Sequence, residues 1–164
     1  MDFQHDILPM KDSLFRLALR ITMNREESED IVQDTLLKLW QKRDELSTVA
    51  NLQSFALTMV RNLSIDRKSL HSHRTVTFET ALHDREDESQ LTPLAALSLE
   101  ESRNKIATLV QSLPEKQRTV IQLRDIEGKT YHEIAEMLSI TEADVKVSLF
   151  RARKTIKESI EKGE

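Results

Sequence analysis

Lys146, Ser148, Arg151, Lys154 and Lys157 recur at helical spacing along one side of a stretch whose other side carries Val145, Leu149, Ala152 and Ile156. Cations and a hydroxyl on one helix face can donate to phosphate oxygens and to base edges, which is binding chemistry rather than bond-breaking chemistry. Just upstream, Ile134, Ala135 and Leu138 give a shorter helix one apolar face. Ser139-Ile140-Thr141 between them permits only a sharp reversal, and Thr141 with Asp144 has the form of a capping box that starts the second helix. Two helices on so short a turn, the second basic along its free side, match the pattern of a helix-turn-helix that reads a major groove. An ordinary helical hairpin with a solvated charged face has the same pattern.

His71, His73 and His83 are the other residues with chemical reach, and three imidazoles suggest a metallohydrolase. They lack a ligand spacing such as HExxH and fall in a charged stretch with no rigid frame to hold a metal. The absence of cysteine excludes disulfides, thiol catalysis and Cys-ligated zinc, and it fits a cytoplasmic protein. The expectation is a protein with no catalytic residue, metal or cofactor, hence not an enzyme.

These residues need elements to position them, and composition says which kind. With two Gly and three Pro in 164 residues, few breakers interrupt a chain that is 38% hydrophobic and 32% charged, so an all-α fold is expected. The length allows one domain or two small ones. No apolar run approaches the ~20 residues of a membrane span, and Met1 to Phe15 lacks the basic-then-apolar order of a secretory signal, so no membrane insertion is expected. The net charge of −4 argues against coating DNA unaided, because duplex affinity comes largely from neutralising phosphates. Charge is nevertheless segregated: Glu26 to Asp34 and Glu79 to Glu101 are acidic, Arg61 to Arg74 and Lys146 to Lys157 basic. Basic patches on an acidic chain suggest DNA contact made jointly with a larger partner.

Taken in order, Leu14, Leu17, Ala18 and Ile21 predict a helix over 10–23, with Pro9 near its start. Asn24 with Glu27 caps a second helix that continues through Glu45, its apolar side built from Val32, Leu36 and Leu39, with Trp40 packed in the core or at its rim. Leu46 to Ala50 reads as a loop. A third helix from about Asn51 turns Leu52, Phe55, Ala56, Met59 and Leu63 inward and becomes basic toward Arg67. Three such helices enclose a small core, giving a first domain over 1–74. Residues 75–93 lack periodicity and contain His83-Asp84-Arg85-Glu86-Asp87-Glu88, so they read as a flexible acidic linker. A second domain over 94–164 follows, with four helices. Its inward positions are Leu99, Ile106, Leu109 and Val110, then Val120, Ile121 and Leu123. Pro114 opens one of its helices and Gly128 stops it.

Against this frame Asp30-Ile31-Val32-Gln33-Asp34, Leu37 and Trp40 resemble the polymerase-docking segment of bacterial sigma factors. Phe55 to Arg67 resembles their promoter-opening helix. Ser112-Leu113-Pro114-Glu115-Lys116-Gln117-Arg118, Gly128 and Tyr131 to Arg153 resemble their C-terminal promoter-binding domain. In this order, over nearly the whole chain outside the linker, the motifs are similar to the two-domain, extracytoplasmic-function type of the sigma-70 family. That resemblance implies a transcription initiation factor that binds core RNA polymerase and directs it to promoters.

It also implies roles. Asp30, Gln33, Asp34 and Leu37 would face the clamp coiled coil of the largest polymerase subunit, where carboxylates can pair with arginines; a solvated acidic face is the plainer reading. Asn51, Arg61, Asn62, Asp66, Arg67 and Lys68 would lie near the separated strand of the −10 element, and Asn62 reads equally well as a loop-bracing residue. Only Phe55 supplies an aromatic there, at a core spacing, so weak intrinsic melting is implied. Lys146, Val147, Phe150, Arg151 and Lys154 would meet the −35 element, with Phe150 alternatively packing on the first helix of the pair. The chain has Ala143, Asp144, Val147 and Ser148 where relatives often have Gly, Thr, Ser and Arg, so the DNA sequence read does not carry over. The linker acids Glu86, Asp87 and Glu88 would occupy a nucleic-acid channel of the polymerase or serve as a tether. Further implied partners are the polymerase flap region, for the C-terminal domain, and an anti-sigma factor. A stand-alone helix-turn-helix regulator is the alternative, though no dimerising or ligand-sensing segment is evident.

Overall fold

The computed structural model describes residues 3–70 and 104–163, and among these every regular element is helical. The expected linker, Leu94, Leu99 and the three histidines 71, 73 and 83 lie outside the described residues.

Pro9 sits in a short 3-10 turn, Leu8–Met10, that leads into helix α1, Lys11–Thr22. Leu14, Leu17, Ala18 and Ile21 are buried along it, as their spacing requires. It stops at Met23, which takes the left-handed conformation (φ 57°) and returns its N–H to the Leu19 carbonyl at 2.9 Å. Asn24 then caps α2, Arg25–Gln41, accepting from the Glu27 N–H at 2.9 Å, while Glu26 and Glu27 meet the positive end of the helix dipole.

Helix α2 ends four residues before the expected Glu45. The following turn is pinned by buried Leu46, whose N–H bonds to Lys42. Trp40 is 44% exposed rather than core, with the Arg43 guanidinium stacked 4.1 Å from its ring centroid. Helix α3, Leu52–Leu70, buries Ala56, Leu57, Val60 and Ser64. The expected inward residues Leu52, Phe55, Met59 and Leu63 are only partly buried flanks of that stripe. The difference arises because α3 is covered from two directions, by α1 and α2 on one side and by the C-terminal helices on another.

Among the described residues the second bundle has four helices. Helix α4 is described over 104–111. Pro114 is the cap of α5, Glu115–Ile121, one position earlier than expected. A π turn, Gln122–Ile126, continues α5 and closes with an N–H from Glu127 to the Gln122 carbonyl at 3.0 Å. Gly128 (φ +72°) then reverses the chain in a conformation that disfavours L side chains. Helices α6, Tyr131–Leu138, and α7, Glu142–Gly163, form the helix-turn-helix, with Ser139 left-handed at the reversal.

One inward and one outward assignment fail in this bundle. Ile106 is 47% exposed, because Ala107 and Val110 take the inward stripe of α4. Ser148 is buried, not on the basic face: its small side chain fits beside Val145, Leu149 and Ala152 and donates to Asp144 at 3.4 Å. The two bundles share one apolar cluster, which runs from Ile7 and Leu14 through Val60 to Val110, Ile134 and Leu149.

Candidate nucleic-acid interface

Helix α7 is fixed from behind before it presents anything. Val145, Leu149 and Ala152 are buried in the core, and Arg153 pairs bidentately with Asp125 of the π turn, Nε to Oδ2 at 3.1 Å. That carboxylate holds the Arg153 guanidinium protonated above its ordinary range. At the start of α7, the Thr141 hydroxyl accepts from the Asp144 N–H at 3.0 Å. The reciprocal half of the expected capping box is replaced, since the Asp144 carboxylate turns to Lys116 of α5. The Lys116 hydrogen bond holds that carboxyl below its usual range.

So anchored, α7 leaves Lys146, Val147, Phe150, Arg151 and Lys154 exposed on one face. Phe150 is 66% exposed, which removes its packing against α6 as a role. The Tyr131 ring lies beside them, 5.5 Å from Lys146 Nζ and 4.5 Å from the Arg124 guanidinium, in cation–π range. An exposed stripe of cations flanking an aliphatic and an aromatic residue can hold phosphates and touch a thymine methyl.

In the first bundle, Asp30, Gln33, Asp34 and Leu37 share the solvent face of α2, opposite buried Ile31, Val32, Thr35 and Leu39. Leu37 is 55% exposed, an apolar centre within an acidic rim. Arg67 of α3 crosses to this face, donating to Asp34 at 3.0 Å and standing 3.8 Å from Asp30. Thus one residue expected at DNA and two expected at polymerase form one cluster. Asn62 and Asp66 are exposed on α3, Lys68 is half-buried, and Arg61 donates to the Asn62 side chain at 3.2 Å. Asn51 caps α3 by accepting from the Ser54 N–H at 3.0 Å.

The sequence reading missed what Asn51 meets beyond its own helix. Its side-chain amide donates to Glu133 of α6, and the Ser54 hydroxyl donates to the same carboxylate at 3.2 Å. Glu133 also completes a full capping box with Thr130, a T-x-x-E signal that the sequence displays. The Thr130 backbone N–H keeps its carboxyl below the ordinary range. Nearby, Lys129 donates to Gln53. Deeper, Arg16 of α1 grips Glu127 with two bonds, 2.9 and 2.8 Å. Gln122 donates to Glu127 at 3.0 Å and accepts from Arg20 at 2.9 Å. Burial first, and repulsion by Arg118 second, lower the Arg20 pKa to about 10. No group of three His, Cys, Asp or Glu side chains suited to a metal occurs among the described residues.

Comparison with known proteins places this geometry. Residues 8–74 match the family model of Sigma-70 region 2, and residues 103–156 match that of Sigma-70, region 4. The chain is 32% identical over 146 residues to the ECF RNA polymerase sigma factor SigL of Mycobacterium tuberculosis, covering 88% of this chain and 80% of that protein. It is 29% identical over 153 residues to a probable RNA polymerase sigma factor, RfaY, of Xanthomonas campestris, spanning 92% of this chain but 38% of that longer protein. The fold matches the sigma factor RpoE of Bartonella quintana, solved in complex with the anti-sigma factor NepR. The TM-score is 0.76 at 22% identity, over 99% of each chain.

Proposed function

We infer, for a chain that belongs to the extracytoplasmic-function group of the sigma-70 family, how its surfaces divide the work of initiation. It is a transcription initiation factor that directs core RNA polymerase to promoters, and it acts in the cytoplasm with no covalent step assigned to it. Region 2 is taken as residues 1–74, region 4 as 94–164, and 75–93 as the connection.

In this reading the clamp coiled coil docks on Asp30, Gln33, Asp34 and Leu37. The observation that carries it is the α2 face itself: two carboxylates and an amide surround one exposed leucine on an otherwise well-packed helix. A charged rim around an apolar centre is the anatomy of a protein interface. Arg61, Asn62, Asp66, Arg67 and Lys68 of α3, with Asn51 at its start, serve the −10 element, and Lys146, Val147, Phe150, Arg151 and Lys154 serve the −35 element. The flap region of polymerase is assigned to a groove of about 500 Å³ lined by Ile106, Val110, Ile121, Ile126, Ile156 and Ile160, deep enough for an apolar helix face. An anti-sigma factor is a further expected partner, by likeness to the relative solved with one.

The test is transcription in vitro by core polymerase with and without this chain, followed by start-site mapping. New, discrete start sites are expected only when the chain is present. Tight and specific duplex binding by the chain alone, with no redirected initiation, would instead favour a stand-alone regulator.

A further inference from the structure

The outward face of α7 is mostly polar, and its apolar exceptions are placed with a pattern. Among the described residues, the large apolar side chains exposed on this helix are Val147 (44%), Phe150 and Ile160. Ile160 lines the apolar groove beside α4. Val147 and Phe150 stand apart from that groove, about one turn from each other in the first half of the helix. At 3.6 residues per turn, Lys146 and Arg151 bracket the two around the helix axis, and Lys154 follows them along it. The inward stripe has no need of Val147, because Val145, Leu149 and Ala152 already fill it. A β-branched side chain also loses rotamer freedom in a helix, so its exposure there is unfavourable twice over.

Valine can neither donate nor accept a hydrogen bond, so it cannot read the polar edges of bases. The major groove offers it one apolar feature, the methyl group on carbon 5 of thymine. Uracil and cytosine lack that methyl; 5-methylcytosine carries it. Residues three apart on a helix stand about 5–6 Å from each other, and successive base pairs rise by roughly 3.4 Å. Val147 and Phe150 together therefore span two neighbouring base pairs while the flanking cations hold phosphates. The stiff χ1 of valine fixes where its own methyl groups point, which suits a contact that must tell one methyl from none.

We propose that Val147 is a specificity-determining residue of α7: with Phe150 it reads the 5-methyl groups of two adjacent pyrimidines in the upstream promoter element. The proposal rests on the sigma-factor reading and deepens it, since promoter choice by this chain then responds to methylation of cytosine at carbon 5.

The test uses the full chain on core polymerase. Initiation on duplexes randomised upstream of the start site selects an element, which is rebuilt with single thymines replaced by deoxyuridine; this removes the methyl and keeps the pairing edge. Filter binding is expected to show a loss of about fourfold at each of two adjacent positions, the contribution of one buried methyl group. With a guanine partner at those positions, 5-methyldeoxycytidine should bind about fourfold tighter than deoxycytidine. Val147→Ala, a change on an exposed side chain, should erase the uracil penalty at one position, and Phe150→Ala at the other. A selected element without adjacent thymines on either strand, uracil tolerated throughout, or a uracil penalty unchanged in Val147→Ala overturns the proposal. A chain that redirects initiation on no member of the library selects no element at all; that result sinks the sigma-factor reading and takes this proposal with it.

Discussion

Arg67 reaches from α3 to Asp34 of α2 at 3.0 Å, and Arg16 reaches from α1 to Glu127 of the other bundle at 2.8 Å. Both are arginine–carboxylate pairs between elements distant in sequence. Their surroundings differ: Asp34's side chain is 50% exposed, Glu127's 1%. An exposed pair is screened and contributes about 0–1 kcal/mol, so either partner can be exchanged for an outside ligand at small cost. A buried pair contributes little net stability, yet removing one partner strands a charge and costs about 3–5 kcal/mol. The first arrangement suits a docking surface and the second a fixed seam between the bundles.

The harshest way to break this comparison is Asp34→Arg. It should lose polymerase binding by two orders of magnitude or more, about 3 kcal/mol, through like-charge contact with the partner's arginines. The helical circular dichroism should be unchanged, because only a solvated pair is lost. Retained binding in a pull-down with core polymerase would show the docking face to be elsewhere.

Arg16→Ala follows in size. Glu127 would be stranded, but Arg16 itself is more than a third exposed, so the expected loss in denaturant unfolding is about 2 kcal/mol, below the full penalty for a buried charge. A loss under about 0.5 kcal/mol would show that Glu127 reaches water without Arg16.

Next comes Arg151→Ala on the exposed face of α7. With polymerase present, affinity for a recognised promoter should drop by about 1–2 kcal/mol if Arg151 reads a base. If it only holds a phosphate, affinity falls evenly across sequences and the salt slope shrinks by about 1. Filter binding at several salt concentrations separates the two.

Acid probes the contacts that Asn51 and Ser54 make with Glu133. Glu133's carboxyl is held low chiefly by the Thr130 N–H, so its contribution is complete above the ordinary value of 4.5 and is lost as pH falls through the depressed one. Glu133→Gln should flatten that acid limb of the stability curve, and at neutral pH it should cost less than about 1 kcal/mol, since glutamine at the third helical position still closes the capping box. An unchanged acid limb would show that the Glu133 charge contributes nothing to stability.

The helices themselves were legible because each carries its own period and its own punctuation: Asn24 with Glu27 starts α2, and Gly128 ends the π turn. The exposed faces of α2 and α7 followed from the same period. Ser148 did not, since a small hydroxyl reads as polar although it fits an apolar stripe once Asp144 accepts its proton. Ile106 failed conversely: period marks a residue as apolar without saying that a neighbour covers it. The Arg16–Glu127 pair, 111 residues apart, left no trace, because each half looks like an ordinary surface charge in its own helix. Contacts within an element are written in spacing; contacts between elements depend on packing angles that spacing does not encode.

Arg67→Ala is the mildest test and bears on the exposed cluster directly. Arg67 is shared, so the pair it makes with Asp34 and Asp30 must loosen before those carboxylates meet an outside arginine. Removing it frees them, and polymerase affinity should hold steady or rise up to twofold, with stability changed by less than about 0.5 kcal/mol. Promoter opening should fall, because the same guanidinium is assigned to the separated strand, and permanganate reactivity of unpaired thymines reads that step apart from docking. A loss of polymerase affinity would mean instead that Arg67 holds α2 in place for its partner. The exposed pair would then be as structural as the buried one, and the difference in hydration would have lost its functional meaning.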